Sequence, residues 1–367
     1  LIGILEIPAT QVGIIQAAAG IPGIFVMLLG GVRADETDPR ALLIRVYLVA
    51  PLLPIFLIIL INFQQLNIFS VLIWALGMSI CVSYSSPAQQ AILNKIASSS
   101  LQKAVSAATA IGFIVQIIGL GLAGTIDKFG LLPALSFQAI CIALGAITVR
   151  RLNPQPPIVR NRESALKNFS DGFRAIYEKP DIMQTLLINF VSSIFNAGAF
   201  MTVFPFIVKQ IYDGNAFLLS FLMIIFYAGA TASNFLMIRI MPLKRPGRIF
   251  LIMQVSRMLI LGIMWFQPSF WIFALACIAW GLNMGVTMTL ARTIVQESAP
   301  EEYRARIMSV YSLGLLGSAP IGALMLGRIV ESFGTLNALI PAIFISIALF
   351  LYGVLFTGVY RYRSPAK

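Results

Sequence analysis

Residues 30–43 read Gly30-Gly31-Val32-Arg33-Ala34-Asp35-Glu36-Thr37-Asp38-Pro39-Arg40-Ala41-Leu42-Leu43. Eight of these positions, Arg33 to Arg40, hold three carboxylates and two arginines. On either side run long apolar segments, Thr10–Leu29 and Leu42–Asn62. A charged turn between apolar runs of about 20 residues has the form of a loop joining two membrane-crossing helices. A carboxylate there can accept hydrogen bonds from a neighbouring helix N-terminus. The arginines can hold it in place or face anionic lipid.

The rest of the chain repeats that form. Of its 367 residues 59% are hydrophobic and 11% charged, whereas about a quarter of a soluble domain is charged. A water-soluble globule of this composition would expose large apolar patches. The expected fold is an all-α polytopic membrane protein. Spans are expected at roughly 10–31, 42–64, 68–92, 104–126 and 130–149, then at 183–208, 216–240, 248–267, 269–292, 306–329 and 335–359. Leu1–Pro8 reads as the tail of one more hydrophobic helix, so eleven complete spans become twelve if a first helix precedes them.

A net charge of +12 in a soluble protein would suggest nucleic acid as a partner. The placement of the charge points elsewhere. With the 30–43 turn set in the cytoplasm, 22 of the 26 basic residues fall on that side. Lys128, Lys209 and Arg328 fall opposite, and Arg257 lies inside a span. The positive-inside rule thus accounts for the basicity. It places the C-terminal tail in the cytoplasm, with the lipid bilayer, not nucleic acid, as the partner. Arg257 is expected to snorkel toward the cytoplasm. Cys81, Cys141 and Cys277 all lie in apolar spans and read as small core residues; there is no histidine and no metal-ligand set.

Residues 150–182 differ from their surroundings. They begin polar and proline-rich, then place Leu166, Phe169, Phe173, Ile176 and Tyr177 on one helical face until Pro180 ends the pattern. That predicts an interfacial amphipathic helix tethering two halves, 1–149 and 183–367. An internal repeat supports the division. Asp127-Lys128-Phe129-Gly130 returns 204 residues later as Glu331-Ser332-Phe333-Gly334, and the Lys103–Ser106 stretch returns 203 later as Arg306–Ser309. The basic turn at 33–45 has a worn counterpart in Arg239–Arg248. Six spans, a linker and six spans make a parallel repeat, with a site expected between the halves.

On these residues the chain resembles the major facilitator superfamily. Gly31, Ala34, Asp35 and Arg40 match that family's Gly-x-Leu-Ala-Asp-Arg-x-Gly-Arg-Lys signature, while Arg33, Glu36 and Pro39 depart from it. Within the superfamily it is most similar to the transmembrane secretion effector and enterobactin-exporter branch. That similarity runs through Ser86–Leu93, Glu297–Arg306 and the linker residues 165–182. The resemblance implies a conformational latch at Gly31, Asp35 and Arg40, a monomer, and alternating access by rocking of the two halves. It also places certain spans around a central cavity. The polar residues on those spans are Gln16, Thr109 with Gln116, the stripe Thr185, Asn189, Ser192, Ser193 and Asn196, then Tyr227, Thr231 and Asn234, and Asn283 with Thr287. Polar groups inside spans are costly unless they face a cavity or a partner helix. They imply a weakly polar, uncharged pocket rimmed by Trp280 and Tyr84, suited to a small amphipathic solute. Gly119, Gly121 and Gly124, with Pro320, are read as helix-packing positions.

The expected function is secondary transport, an exporter of drug-like or siderophore-like molecules in the bacterial inner membrane. A lysophospholipid flippase, an importer of the same fold and a non-transporting sensor or scaffold stay open. No phosphate-binding Gly-x-x-x-x-Gly-Lys-Ser/Thr loop and no nucleophile–base pair is present, so neither an ATP-driven pump nor an enzyme is expected, and no cofactor. Proton coupling stays open too, since no carboxylate stands mid-span.

Overall fold

The computed structural model describes residues 8–36, 38–96, 101–154, 173–240, 243–300 and 304–364. Among them the fold is helical throughout, without a strand. Helices α1 (Ala9–Glu36), α2 (Pro39–Val49), α3 (Leu52–Asn62), α4 (Ile68–Ile96), α5 (Leu101–Ala123), α6 (Ile126–Phe129) and α7 (Leu131–Arg150) come first. Then follow α8 (Pro180–Gly198), α9 (Phe204–Gln210), α10 (Ala216–Ile240), α11 (Pro246–Trp265), α12 (Phe270–Ser298), α13 (Arg304–Phe333) and α14 (Ile340–Leu355). Nine helical runs among the described residues are long and apolar enough to cross a membrane. Each of the eleven expected spans coincides with helix; α12 and α13 run a turn or more past the expected ends.

Prolines explain the breaks. α2 and α3 form one 24-residue span interrupted at Ala50–Pro51, where Pro51 and Pro54 supply no backbone N–H and their rings crowd the preceding turn. α8 and α9 are joined by a π-helical turn, Ala199–Val203, just before Pro205. That ring obstructs the carbonyl four residues back, and the ladder widens to pass it.

The chain divides into two compact units, Ile15–Ala165 and Leu166–Lys367 with Leu1–Ile14. In the first, Leu43, Ala88, Ile92 and Val149 make a small core between α2, α4 and α7. In the second, one core gathers Phe204, Phe226, Phe273 and Trp280, and another gathers Ile182, Phe250, Leu290 and Ile294. The opening of α1 packs on α13 through small residues: a Cβ added at Gly13 would sit 2.6 Å from the Ala323 carbonyl oxygen. There the Thr10 amide donates to the Glu331 carboxylate at 2.8 Å, and the Thr10 hydroxyl donates to its other oxygen.

The repeated Asp/Glu-x-Phe-Gly stretch ends a helix on a positive-φ glycine in both places. Gly130 closes α6 with φ 77° and Gly334 closes α13 with φ 89°. An L side chain there meets the left-handed region's steric penalty. Gly334→Ala is therefore expected to cost about 1 kcal/mol, read as a lowered unfolding midpoint in detergent. Space is not the issue, since a Cβ there would touch nothing.

No described atom lies within 4 Å of a Cβ built on Gly119 or Gly121, and Ile114, Val115 and Ile118 around them are exposed. Small residues draw helices together only where an opposing face is equally small. That condition is met elsewhere, at Gly198 against Gly322 and at Gly281 and Gly285 against Ala230. Gly124 and Pro320 are buried, the latter two residues before Gly322. In the linker, Leu166 and Phe169 lie outside the described residues. Residues 173–177 are helical, but the buried face is Ala175 and Ile176, while Tyr177 is 79% exposed. The small Ala175 lets the helix lie close, and the ion pair Arg174–Glu178 lines its outer side.

Candidate functional site

The polar side chains of the second unit converge on one residue. Arg257 stands eleven residues into α11, about 16 Å from its start and about 12 Å from its end at 1.5 Å per residue. Neither end is within reach of its side chain. Snorkelling does not occur: Arg257 is 3% exposed and turns inward between α8 and α12. Its Nε and Nη2 donate to Asn283 Oδ1 at 3.1 and 3.0 Å. Nη2 also donates to Thr287 Oγ1 at 3.3 Å, and Nη1 donates to Gln254 Oε1 at 3.3 Å and to the Ser192 hydroxyl. These described partners are all neutral.

The surrounding residues are fixed in turn. Asn283 Nδ2 donates to the Met253 carbonyl at 2.7 Å and to Ser256 Oγ at 2.6 Å, which settles the orientation of its amide. Ser192 Oγ donates to Gln254 Oε1 at 3.1 Å, and Thr287 Oγ1 to the Asn283 carbonyl at 2.7 Å. α11 thus ties to α8 through Ser192 and to α12 through Asn283 and Thr287. The polar group expected to be uncharged surrounds a buried guanidinium.

The other candidates are distributed as follows. Asn196 accepts from the buried Trp280 indole at 2.6 Å, at the edge of the aromatic group of Phe200, Phe204, Phe226 and Tyr227. Asn234 accepts from Thr289 Oγ1 at 3.0 Å, joining α10 to α12. Thr185 and Thr231 bond back to their own helices, at the Asp181 and Tyr227 carbonyls. Asn189 is buried, Ser193 is half-buried, and neither has a described hydrogen-bond partner for its side chain. In the first unit Gln16 is half-buried and Gln116 exposed, while the side chain of Thr109 lies outside what is described. Tyr84 is half-buried. A hollow of about 570 Å³ in that unit is lined by other residues, among them Tyr47 and Gln89, which share a 2.6 Å hydrogen bond.

At the turn that opened the sequence, Gly31 and Asp35 fall on the last turns of α1, with side chains outside the described set. Asp38 caps α2, accepting from the Arg40 amide at 2.8 Å with Pro39 in the first turn. The Arg40 guanidinium donates to the Arg150 carbonyl at 2.7 Å, at the end of α7. In the second unit Glu297, near the end of α12, accepts from Tyr362 Oη at 3.3 Å and Ser364 Oγ at 2.8 Å. Burial pushes the Tyr362 phenol up from its ordinary value.

Sequence reasoning missed Gln254 and misread Arg257. The available signal was their spacing: three residues apart, they share one face in the middle of a mostly apolar helix, which favours a polar interior over a reach for the surface.

An all-helical fold with runs long and apolar enough to cross a membrane defines a class, and solved structures share that fold. A nucleoside transporter, NupG (D323A mutant), superposes with a TM-score of 0.76 over 96% of this chain and 92% of its own, at 14% identity. A POT family transporter in complex with 5-aminolevulinic acid gives 0.76 over 98% and 90%, at 13% identity. The human organic anion transporter MFSD10 gives 0.69 over 93% and 83%, at 12% identity. The fold is that of the major facilitator superfamily, and the chain belongs to its transmembrane secretion effector family, which matches residues 1–363. Among relatives, the enterobactin exporter EntS of Shigella dysenteriae serotype 1 (strain Sd197) is 27% identical over 219 residues. EntS of Escherichia coli O139:H28 is 26% identical over the same length. These matches cover 59% of this chain and 48% of the exporters, about half their length.

Proposed function

We propose that this chain forms a secondary exporter of small amphipathic organic molecules in the bacterial inner membrane, with its basic C-terminal tail in the cytoplasm. Alternating access between two helical halves is the mechanism. The observation that carries the reading is the family match along nearly the whole chain. The exporter relatives support the direction, and the crowding of basic residues at alternate loops supports the orientation. The partly exposed polar groups Ser193, Asn196, Tyr227, Thr231 and Asn234 on α8 and α10 offer a solute hydrogen bonds beside aromatic faces. Such a mixture of aromatic wall and a few polar points is what an amphipathic ligand requires.

The test is flux in proteoliposomes of the full-length protein under an imposed pH gradient, with amphipathic dyes, catecholate siderophores and lysolipids as solutes. Saturable, gradient-dependent movement of a dye or siderophore is expected, reduced at least tenfold in an Asn196→Leu, Tyr227→Phe double variant that loses two polar contacts. Movement of lysolipid alone would replace the exporter with a flippase. Movement of nothing, with or without the gradient, would overturn transport.

A further inference from the structure

Arg257 and Gln254 make a locus rich in hydrogen-bond donors and lacking a negative charge. The guanidinium stays protonated at any physiological pH. Its described partners, Asn283, Thr287, Gln254 and Ser192, satisfy its N–H groups with dipoles but leave the charge itself uncompensated. A buried charge is ordinarily paired. The second observation is independent. Gln254 is 0% exposed, and its Nε2 has no hydrogen-bond partner among the described residues. Its amide cannot be turned to cure this, because Oε1 already accepts from both Ser192 and Arg257. A buried N–H donor without an acceptor therefore stands on the amide that touches an uncompensated cation.

We propose that Arg257 and Gln254 form a binding site for a monovalent anion, a halide or a carboxylate group. The anion accepts from the guanidinium and from Gln254 Nε2. The Ser192 hydroxyl, which now donates to Gln254, is free to rotate its proton toward the anion as well. Thr287 can give up its long 3.3 Å contact without losing its own donation to the Asn283 carbonyl. A cation would require carboxylates, and none is among the described partners. A neutral polar solute would require acceptors as much as donors. A single buried positive charge favours a singly charged group over a dianion. Asn189, one turn before Ser192 on α8, and Asn196, one turn after it, carry the polar face along the helix on either side of the site. Since the site joins α8, α11 and α12, an anion that exchanges Arg257's contacts changes what holds these helices together, which is how an occupant biases one conformation over another.

The proposal deepens the transport reading and rests on it for its use, but its test reads binding, so either can fail alone. Full-length protein in a neutral detergent is unfolded thermally during titration with sodium chloride, sodium sulfate at matched ionic strength, sodium benzoate, or benzamide. A saturable rise in midpoint with chloride or benzoate, absent with sulfate and benzamide, is expected. Chloride alone assigns an inorganic halide; benzoate alone assigns the acid group of a solute. Arg257→Gln is expected to abolish the response. Gln254→Met, which keeps the guanidinium and fills the same space, is expected to weaken the apparent affinity at least tenfold, and it serves if Arg257→Gln does not fold. Wild-type curves indifferent to chloride and benzoate, or a response unchanged in both variants, would overturn the site.

Discussion

Gly281→Leu is expected to abolish accumulation of folded protein, and even Gly281→Ala is expected to cost about 3 kcal/mol or more, the upper part of the range for overpacking. A Cβ at this position would press into the Phe226 carbonyl oxygen and stand 2.8 Å from its carbon and 3.1 Å from the Ala230 nitrogen. All three are backbone atoms, so no rotamer change relieves the clash. Gly229 faces the Ile278 carbonyl, and Gly285 would put a Cβ 2.7 Å from the Ala230 carbonyl oxygen. α10 and α12 thus meet backbone to backbone over two turns, in the manner of small-residue membrane interfaces. Separating them would open the packing of the buried Phe226 and Trp280, whose rings lie 5.5 Å apart. Gly262 is the control. It lies inside α11 with nothing within 4 Å of an added Cβ, so Gly262→Ala is expected to be neutral or to stabilise by about 0.5–1 kcal/mol. Detergent-solubilised yield by size-exclusion chromatography, followed by thermal unfolding, reads both. Equal behaviour of the Gly281 and Gly262 alanine variants would show that the close crossing does not carry the fold.

What the sequence discloses here is where helices start and stop; what it conceals is which way they face. The spans follow from apolar length, and the matching turns at Gly130 and Gly334 follow from a repeated four-residue pattern, because both depend on local chemistry. The inward turn of Arg257 does not. A membrane helix that is apolar on every side carries no amphipathic stripe to distinguish protein from lipid. Mid-helix arginine taken alone therefore reads equally as a residue reaching for headgroups or as one held inside, and only Gln254 three residues before it tips the reading inward. The same ambiguity surrounds helix packing, since glycine spacing says nothing about the smallness of the opposing face. It also left Ser192, Asn283 and Thr287 as separate polar points on two spans. Their common partner lies on a third span, beyond the reach of any periodicity within one helix.

Arg257→Met is expected to leave the protein folded and to cut solute flux by about a hundredfold, the equivalent of roughly 2.8 kcal/mol. The stability side follows from the network. Without the guanidinium, Gln254 Oε1 keeps its bond from Ser192, and Thr287 keeps its donation to the Asn283 carbonyl. Only Asn283 Oδ1 loses both of its described donors, at about 1–3 kcal/mol for a buried acceptor left unmade. Against that stands relief from burying a charge, and replacing buried ionic groups by well-packed apolar residues is often neutral or stabilising. The two contributions are similar in size and opposite in sign. The midpoint should therefore move little. Flux is different, because a methionine can hold neither an anion nor three helices at once. Arg257→Lys completes the argument: it restores the charge but has three donors on one nitrogen, where arginine spreads five over a planar fork. Lysine should recover part of the flux if charge matters most and almost none if the joining of α8 to α12 matters most. Full flux in Arg257→Met, with an unchanged unfolding midpoint, would reduce the buried arginine to a packing residue.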